Sequence, residues 1–424
     1  MKKLLLILLI ITVQITTAQN YSFGKVSKEE LQETYNPLDS SAAATYLYKY
    51  RKTNFDYVTG LGFQQVTEVH ERIKIYNKDG FDYATKKIAL YKDGSNREKV
   101  NSLKAVTYNL ENGKIVEEKL RKDGEFEVEL SKYYDQQSFT MPKVKEGSVI
   151  EYRYKFVSPF LANVDEFVFQ HDIPIKKLEA IMDSPEYFNF RVNTKGFLRV
   201  VPKVEQKNRK ANLSQRVVQK SGNGTGGGVT TKRETSTVDY VSTLATYELT
   251  DIPALKEEPY VNGMQNYRSG VKYELSYTKF PNTPIDTYAT DWSAVVKSIF
   301  ENSSFGAELN KTGYFEDEID AIVSGIQDDE QKIISIFEFV KSKVKWNGFY
   351  NKYTADGVKK AYKENKGNVA EINLMLTSML RYAGLKADPV LVSTRKKWHT
   401  PFSDQGRIQL CHKRGRTACR NDIA

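Results

Sequence analysis

Thiol and imidazole groups, which often carry covalent catalysis or bind metals, are scarce in this chain. It contains two cysteines, Cys411 and Cys419, and four histidines. Cys411 and His412 are adjacent, but neighbouring side chains point away from each other on a strand or helix, whereas a catalytic pair needs hydrogen-bond reach and an orienting third group. Together with His399, these residues fit no common zinc spacing. We therefore expect no catalytic Cys–His pair, no metal site and no cofactor.

The two remaining histidines, His70 and His171, lie in predicted strands without obvious partners. An isolated histidine is more often a surface or half-buried strand residue than a metal ligand. The glycine-rich run 221–228, SGNGTGGG, invites a phosphate-binding interpretation. No Lys-Ser/Thr pair completes a phosphate-binding loop there, and no strand-to-helix step flanks it, so we interpret it as a flexible surface loop.

The most informative segment is 367–388, GNVAEINLMLTSMLRYAGLKAD. Asn368 can cap a helix, and Glu371 three residues later completes a capping box, so Glu371 is interpreted as a cap and not as an acid catalyst. Gly384 suits the end of this helix. Its apolar positions predict one buried face: Ile372, Met375, Leu376, Met379, Leu380 and Ala383. A short buried strand is predicted at 389–392.

The segments around this helix form a recognisable order. An amphipathic helix is predicted at 328–345, and VKWNG (344–348), YTADGVKKAYKENKGN (353–368) and, after the second helix, ADPVLVSTR (387–395) follow it. Over residues 328–395 this order and spacing resemble the core of the transglutaminase-like superfamily. The β-rich part before it resembles a domain of unknown function that precedes such cores in envelope proteins of Gram-negative bacteria.

The resemblance implies a mechanism that this chain does not complete. In active members a Cys at the helix start attacks an amide carbonyl, a His on a following strand acts as base, and an Asp or Asn orients the His. Here Gly367 and Asn368 match the residues before the nucleophile, and Val369 stands in the place of the Cys. Valine cannot form a thiolate, so we expect a core without a catalytic residue, in which Val369 marks a vestigial nucleophile position.

The resemblance also places Trp346, Asn347, Tyr350 and Tyr353 near the vestigial cleft. One interpretation is an aromatic binding wall, because Trp and Tyr offer an apolar body with a polar tip. The other is core packing around the helix, since ligand pockets and cores draw on the same aromatic residues. The sequence leaves both open.

The last residues break the pattern, since 397–424 shows neither helical nor strand periodicity. Read one base out of frame with permitted codon choices, this stretch becomes a normal continuation into the next strand, in which the position of the catalytic His reads as Asn. We infer a frameshift near Lys397. We therefore expect an incomplete core at 285–396, followed by an aberrant, poorly packed tail at 397–424.

Before the core, alternation with a period of two predicts a large β-rich domain at 61–280. The predicted strands are 66–76, 83–90, 103–109, 114–120, 125–130, 148–157, 165–171, 178–182, 188–192, 236–250 and 271–278. Asn112-Gly113 and Asp123-Gly124 are interpreted as hairpin turns between strands. The segment 19–60 is polar, with short helices predicted at 28–34 and 41–51.

These elements define the expected fold class as α+β and multidomain. An N-terminal antiparallel β-sandwich-like domain is followed by an incomplete transglutaminase-like, papain-like α+β core. At the very start, Lys2 and Lys3 precede an apolar run at 4–13 and a small-residue site ending at Ala18, which indicates a secretory signal peptide at 1–18. The run is too short for a stable membrane anchor. No Cys lies near Ala18, so we expect no lipid attachment there.

Net charge and composition indicate which kinds of partner and location to expect for this protein. Of the net charge of +10, the signal supplies +2 and residues 397–424, with six Lys/Arg and two Asp, supply +4, which leaves +4 on the body. Charges of alternating sign there are typical of a solvated surface, so we expect no nucleic acid partner. No later segment has about 18 consecutive apolar residues, so we expect no transmembrane segment after signal cleavage and a periplasmic or secreted protein.

Three functions remain open. The absence of a nucleophile at Val369 favours a pseudoenzyme that binds protein, peptide or glycan in the cell envelope. An enzyme of the transglutaminase or peptidase class acting on peptide amides is the second, and a structural domain of a larger envelope assembly is the third. A ligand-sized cleft beside Trp346 would favour binding over a structural role.

We predict that the mature chain begins at Gln19, because the apolar run and Ala18 have the layout of a cleaved signal. N-terminal sequencing of protein recovered from the periplasm of a Gram-negative host should give Gln19 as the first residue. The matched variant Leu8→Arg interrupts the apolar run and should keep residues 1–18 attached. Exported protein that still carries 4–13 would contradict the prediction.

Overall fold

The computed structural model describes residues 21–220, 229–261, 263–288, 292–393 and 408–412. The predicted signal peptide (1–18), the glycine-rich run (221–228), His399 and Cys419 lie outside these residues, as does most of 397–424.

Strands make up most of the chain before residue 290, and short strands also lie after it. They are β1 Ala44–Val58, β2 Gly62–Ile75, β3 Thr85–Asp93, β4 Asn96–Arg97, β5 Lys99–Glu111, β6 Lys114–Lys119, β7 Glu125–Ser131, β8 Tyr134–Thr140, β9 Val149–Ser158, β10 Phe167–Val168, β11 Ile175–Pro185, β12 Phe188–Lys195, β13 Lys203–Lys220, β14 Val229–Ile252, β15 Gly270–Thr278, β16 Asp286–Thr287, β17 Lys345–Trp346, β18 Lys366–Gly367, β19 Pro389–Ser393 and β20 Ile408–His412.

Helices make up most of the second part. They are α1 Lys28–Gln32, α2 Trp292–Glu301, α3 Gly306–Leu309, α4 Glu316–Val323, α5 Asp329–Lys343, α6 Val358–Glu364 and α7 Val369–Tyr382. The predicted α+β class is therefore confirmed, with a β-rich part followed by a helical core. No helix in the described part of the chain is long and apolar enough to cross a membrane.

One eight-stranded sheet organises the β-rich part, in the order β13-β14-β11-β1-β2-β9-β5-β6. Neighbouring strands in this sheet are antiparallel, except that β1 and β11 run parallel. A second sheet has the order β4-β3-β8-β7, and a third has the order β10-β15-β12 with β16 beside β15. The predicted antiparallel β-rich domain therefore contains one parallel pair, β1 and β11, at its centre.

The helix predicted at 41–51 is wrong, because this stretch forms the first half of β1. Tyr46, Tyr48 and Tyr50 are aromatic residues that favour strands, and β1 pairs with β2 on one side and with β11 on the other. The segment 19–60 is therefore no separate helical segment, since it supplies a central strand of the β-rich part. Only its first predicted helix is present, as the short α1.

Two further differences concern turns and strands. Asn112 and Gly113 have φ of 50° and 71° and connect β5 to β6, which confirms a hairpin turn. Asp123-Gly124 connects β6 to β7, which lie in different sheets, so it is not a hairpin turn. The polar strand β13 was not predicted; it pairs along β14 from Lys203 to Lys220.

The two smaller sheets and the large sheet share one hydrophobic core. Its buried residues include Phe55, Ile73, Ile150 and Ile175 of the large sheet, Ile88 and Phe139 of the second sheet, and Phe167, Phe188 and Tyr273 of the third sheet. We call the face of the large sheet that contacts this core the inner face. Burial of these large side chains is the main stabilising term for this part.

The outer face of the large sheet is covered by the N-terminal residues 21–33. Leu31 packs there on a separate apolar cluster with Leu47 and Tyr108. Arg72 is fully buried beneath this segment. Its guanidinium donates to Glu30 at 2.9 Å and to Glu151 at 2.8 Å, and also to the backbone carbonyls of residues 22 and 25. This charged network joins the N-terminal segment to β2 and β9.

The helical core is built around α7. Ala370, Leu374, Met375 and Met379 are fully buried, and α7 packs against α3, α5 and α6. The predicted helix is confirmed, with Gly384 at φ 82° just beyond its end. The strand predicted at 389–392 is present as β19. The expectation of no strand within 397–424 is wrong, because β20 lies there and pairs antiparallel with β19. This pairing gives hydrogen-bond partners to backbone groups of β19 that would otherwise form an open sheet edge.

We predict that Arg72→Leu lowers the free energy of unfolding by about 3–5 kcal/mol, because it leaves the carboxylates of Glu30 and Glu151 buried without their cation. Urea unfolding followed by tyrosine fluorescence measures this. Lys145→Gln, which breaks an exposed pair with Glu111, is the control and should leave the midpoint nearly unchanged. Equal midpoints for both variants would contradict a stabilising role for the buried network.

Candidate functional site

The start of α7 is the site that the resemblance singles out. Gly367 lies in β18, which pairs parallel with β17, and Asn347 donates its backbone N–H to the carbonyl of Gly367 at 3.0 Å. Asn368 is the N-cap residue: its side-chain oxygen accepts from the backbone N–H of Glu371 at 2.9 Å, and its amide donates to the carbonyl of Tyr353 at 3.0 Å. Asn368 therefore joins the helix start to the preceding loop.

Glu371 holds that loop against the helix. One carboxylate oxygen accepts from the backbone N–H of Asn368 at 2.7 Å, which completes the predicted capping box. The other accepts from the backbone N–H groups of Ala355, Asp356 and Gly357 at 2.9, 2.8 and 3.2 Å. Both oxygens of this buried carboxylate are thus used structurally, as the interpretation of Glu371 as a cap requires.

Val369 occupies the first position of α7. Its side chain is only 7% exposed, and its backbone N–H donates to the carbonyl of Phe349 at 3.3 Å. A helix start would stabilise a thiolate at this point, but an isopropyl group has no acid or nucleophilic atom. Asn373, one turn further, donates its side-chain amide to the carbonyl of Val369 at 2.8 Å and offers no nucleophile either.

The predicted aromatic residues lie beside this helix start, where Tyr353 packs against the helical core while Trp346 and Tyr350 lie outside it. Trp346 and Tyr350 are 39% and 55% exposed, and their rings contact at 4.8 Å. The indole N–H of Trp346 donates to the carbonyl of Phe349 at 3.0 Å, while Asn347 accepts from the backbone N–H of Phe349 at 3.0 Å. These bonds order the loop and leave Phe349 itself 45% exposed.

A cleft of 2580 Å³ lies between this loop and the β-rich part. On the side of the helical core its lining includes Asn302, Ser304, Asn347, Phe349, Tyr350, Tyr353 and Asn368. On the opposite side it includes Lys49, Arg51, Lys86, Tyr154, His171, Arg191 and Lys195. Lys132 donates to the carbonyl of Ala355 at 2.7 Å and connects the two sides at the rim. Trp346 supports the lining through its contact with Tyr350.

The sequence analysis did not identify some of the residues that line the cleft. Phe349 belongs to the run WNGFYNKY at 346–353, and its aromatic density was a usable signal. Lys86, in a predicted strand, and Lys49 and Arg51, in the helix wrongly predicted at 41–51, gave no such signal, because charged residues in such elements are usually solvated.

The histidines that the structure describes take different positions. Nε2 of His70 lies 2.8 Å from Glu151 on the outer face, within the Arg72 network. His171 is half-buried and lines the cleft. Burial and the nearby Lys49 lower the pKa of His171 well below its usual range.

Cys411 and His412 belong to β20. Within the described residues, no group of three or more His, Cys, Asp or Glu side chains could hold a metal ion.

Comparisons with known proteins agree with this architecture. Residues 63–218 match the model of a domain of unknown function with a solved structure, DUF3857, and residues 318–415 match the model of the transglutaminase-like superfamily. The second match extends beyond residue 396, where the sequence led us to end the core. No curated protein matches the chain.

A solved structure from Parabacteroides distasonis, described as a "putative protease", is similar to this chain. The similarity covers 87% of this chain, with a TM-score of 0.55 and 14% identity. At this identity the likeness shows the fold alone. The chain spans 64% of the length of that structure.

We predict that Glu371→Ala lowers the free energy of unfolding by about 3 kcal/mol or more, because it removes the cap and leaves backbone donors of the 355–357 loop without an acceptor. Chemical unfolding with near-ultraviolet circular dichroism as the signal measures this. Glu364→Ala, at the exposed end of α6, is the control and should have little effect. If Glu371→Ala behaves like the control, the carboxylate does not hold the loop.

Proposed function

Because the chain joins a DUF3857 domain to a domain of the transglutaminase-like superfamily, we propose that it is an exported, non-catalytic protein that binds a peptide in the cleft between them. The observation that carries this proposal is Val369. It stands buried at the start of α7, where the superfamily mechanism needs a nucleophile, while the surrounding loop and cleft are intact.

The absence of a reacting group at the helix start argues against covalent catalysis. A nucleophile must lie within hydrogen-bond reach of a base, and the side chains of Asn368, Val369 and Ala370 include neither a thiol nor a hydroxyl. The Asn368 amide is already committed to the helix cap and to the carbonyl of Tyr353. These residues support the scaffold of the cleft without chemistry.

The size of the cleft argues for an extended ligand. Sites for small molecules usually occupy about 300–1,000 Å³, and this cleft is larger at 2580 Å³. Its wall on the core side combines the exposed rings of Phe349 and Tyr350 with the amide of Asn347. Such a surface offers apolar contact together with hydrogen-bond donors and acceptors, which suits a peptide backbone with mixed side chains.

Two considerations favour a peptide over a glycan or a purely structural role. The similar structure from Parabacteroides distasonis is described as a "putative protease", and the superfamily resemblance implies reactions at peptide amides. A purely structural role would bury aromatic residues against a neighbour within the fold, whereas Phe349 and Tyr350 are 45% and 55% exposed beside the cleft.

We predict that a dye-labelled pool of random decapeptides binds the protein, and that Tyr350→Ala weakens this binding about tenfold, because aromatic residues dominate contact energy at binding surfaces. Fluorescence anisotropy measures the affinity. Tyr260→Ala is the matched control, since Tyr260 is fully exposed and does not line the cleft. Equal loss in both variants, or no binding at all, would contradict the proposed site.

The same peptides test the absence of catalysis. Mass spectrometry after long incubation should show neither cleavage nor crosslinking above a heat-denatured control. Val369→Cys should not restore turnover by itself, because catalytic groups act as a unit and their effects are strongly non-additive. Turnover by the natural sequence that thiol reagents block would show that the protein is an enzyme.

A further inference from the structure

A cluster of charged side chains lies at the base of this cleft, on the inner face of the large sheet. Glu71 of β2 is almost fully buried, with 4% of its side chain exposed. It accepts hydrogen bonds from Lys49, from the Tyr152 hydroxyl and, at 3.1 Å, from Lys86. We call Lys49, Arg51 and Lys86, together with Glu71, the basic floor.

The charges of the basic floor do not balance around Glu71, because two cations, Lys49 and Lys86, share its one carboxylate. Arg51 donates to the backbone carbonyls of Asp165 at 2.9 Å and Glu166 at 2.8 Å and lies 4.2 Å over the Phe167 ring. Burial lowers the pKa of the Arg51 guanidinium, and the nearby carboxylates of Asp165 and Glu166 oppose that shift, so these two acids face the charge of Arg51. The Glu166 carboxylate lies 2.7 Å from Lys195. Lys49, Lys86 and Glu71 together therefore carry a net positive charge beside the cleft.

Protonation directions agree with this imbalance. Burial raises the pKa of the Glu71 carboxyl, but Lys49 and Lys86 outweigh it and hold that pKa below its usual value, so Glu71 stays ionised. Burial lowers the pKa of the Lys49 ammonium even though Glu71 opposes the shift. A second anion near Lys49 would stabilise its charged form.

The cations of the basic floor remain within reach of a ligand. The side chains of Lys49 and Lys86 are 15% and 28% exposed, and both line the cleft. His171 lines it as well, and its Nε2 is buried without a hydrogen-bond partner among the described residues. A buried polar atom without a partner is uncommon in a folded protein and is satisfied when a ligand group reaches it. Neutral imidazole can donate from this nitrogen.

We propose that the peptide bound in the cleft is acidic, and that the basic floor and His171 bind one of its carboxylates. This inference rests on the proposed function, in which the cleft binds a peptide. A peptide supplies such groups from Asp and Glu side chains and from its own C-terminus. An ionised acceptor between ammonium groups forms the stronger, charge-assisted class of hydrogen bond.

Binding of two decapeptides with the same dye tests this inference: one of glutamate and one of glutamine. The wild-type protein should bind oligo-glutamate at least about tenfold more tightly, and salt should weaken only that binding. Lys86→Gln should remove about tenfold of the oligo-glutamate affinity, and Lys86→Arg should recover most of it. Lys145→Gln, the same charge change at an exposed position, should not alter the affinity.

The outcomes separate the two proposals. If both decapeptides bind equally and Tyr350→Ala weakens both, the acidic preference is wrong and the peptide-binding cleft stands. If neither decapeptide nor the random pool binds, both proposals fail. Preferential binding of an oligosaccharide of uronic acids, with no binding of oligo-glutamate, would overturn the assignment to a peptide. The comparison of the two decapeptides on wild-type protein requires no variant to fold.

Discussion

The central strands β1, β2 and β9 are covered on both faces over part of their length, so the charges buried there need partners inside the protein. An unpaired buried charge costs several kcal/mol, whereas a paired and hydrogen-bonded one is tolerated. On the outer face Arg72 meets Glu30 and Glu151. On the inner face Glu71 meets Lys49 and Lys86. These two networks fix the N-terminal segment on one side and the base of the cleft on the other.

Strand register decides which network each residue joins. Glu71 and Arg72 are neighbours in sequence and therefore point to opposite faces, and a slip of one residue would exchange them. In β1, the register against β2 shifts between Tyr46 and Tyr48. This β-bulge adds one residue, so that Lys49 follows Tyr46 onto the inner face while Tyr48 stacks on the N-terminal segment. The bulge thereby directs cations into the cleft.

The start of α7 is ordered by hydrogen bonds that do not involve the side chain of Val369. Glu371 joins the start of α7 to the 355–357 loop through backbone hydrogen bonds, and none of these bonds depends on the side chain at position 369. Val369 places a buried apolar side chain at this position. The loop that presents Phe349 and Tyr350 to the cleft is held at the same helix start, because the backbone N–H of Val369 donates to the carbonyl of Phe349.

The sequence alone determined those parts whose signals are local. The capping box, the apolar face and Gly384 lie within one short stretch, so α7 could be inferred directly. The strand β1 could not be predicted in this way, because a run of Tyr, Lys and Arg is also compatible with a helix. Its hydrogen-bond partners, β2 and β11, are supplied only by the tertiary structure. The cleft could not either. Its walls bring Lys49, Lys86 and His171 opposite Tyr350, and only tertiary folding places residues so distant in sequence around one space. Their charges become functional candidates through burial, and burial is a property of the packed sheets and not of the sequence pattern.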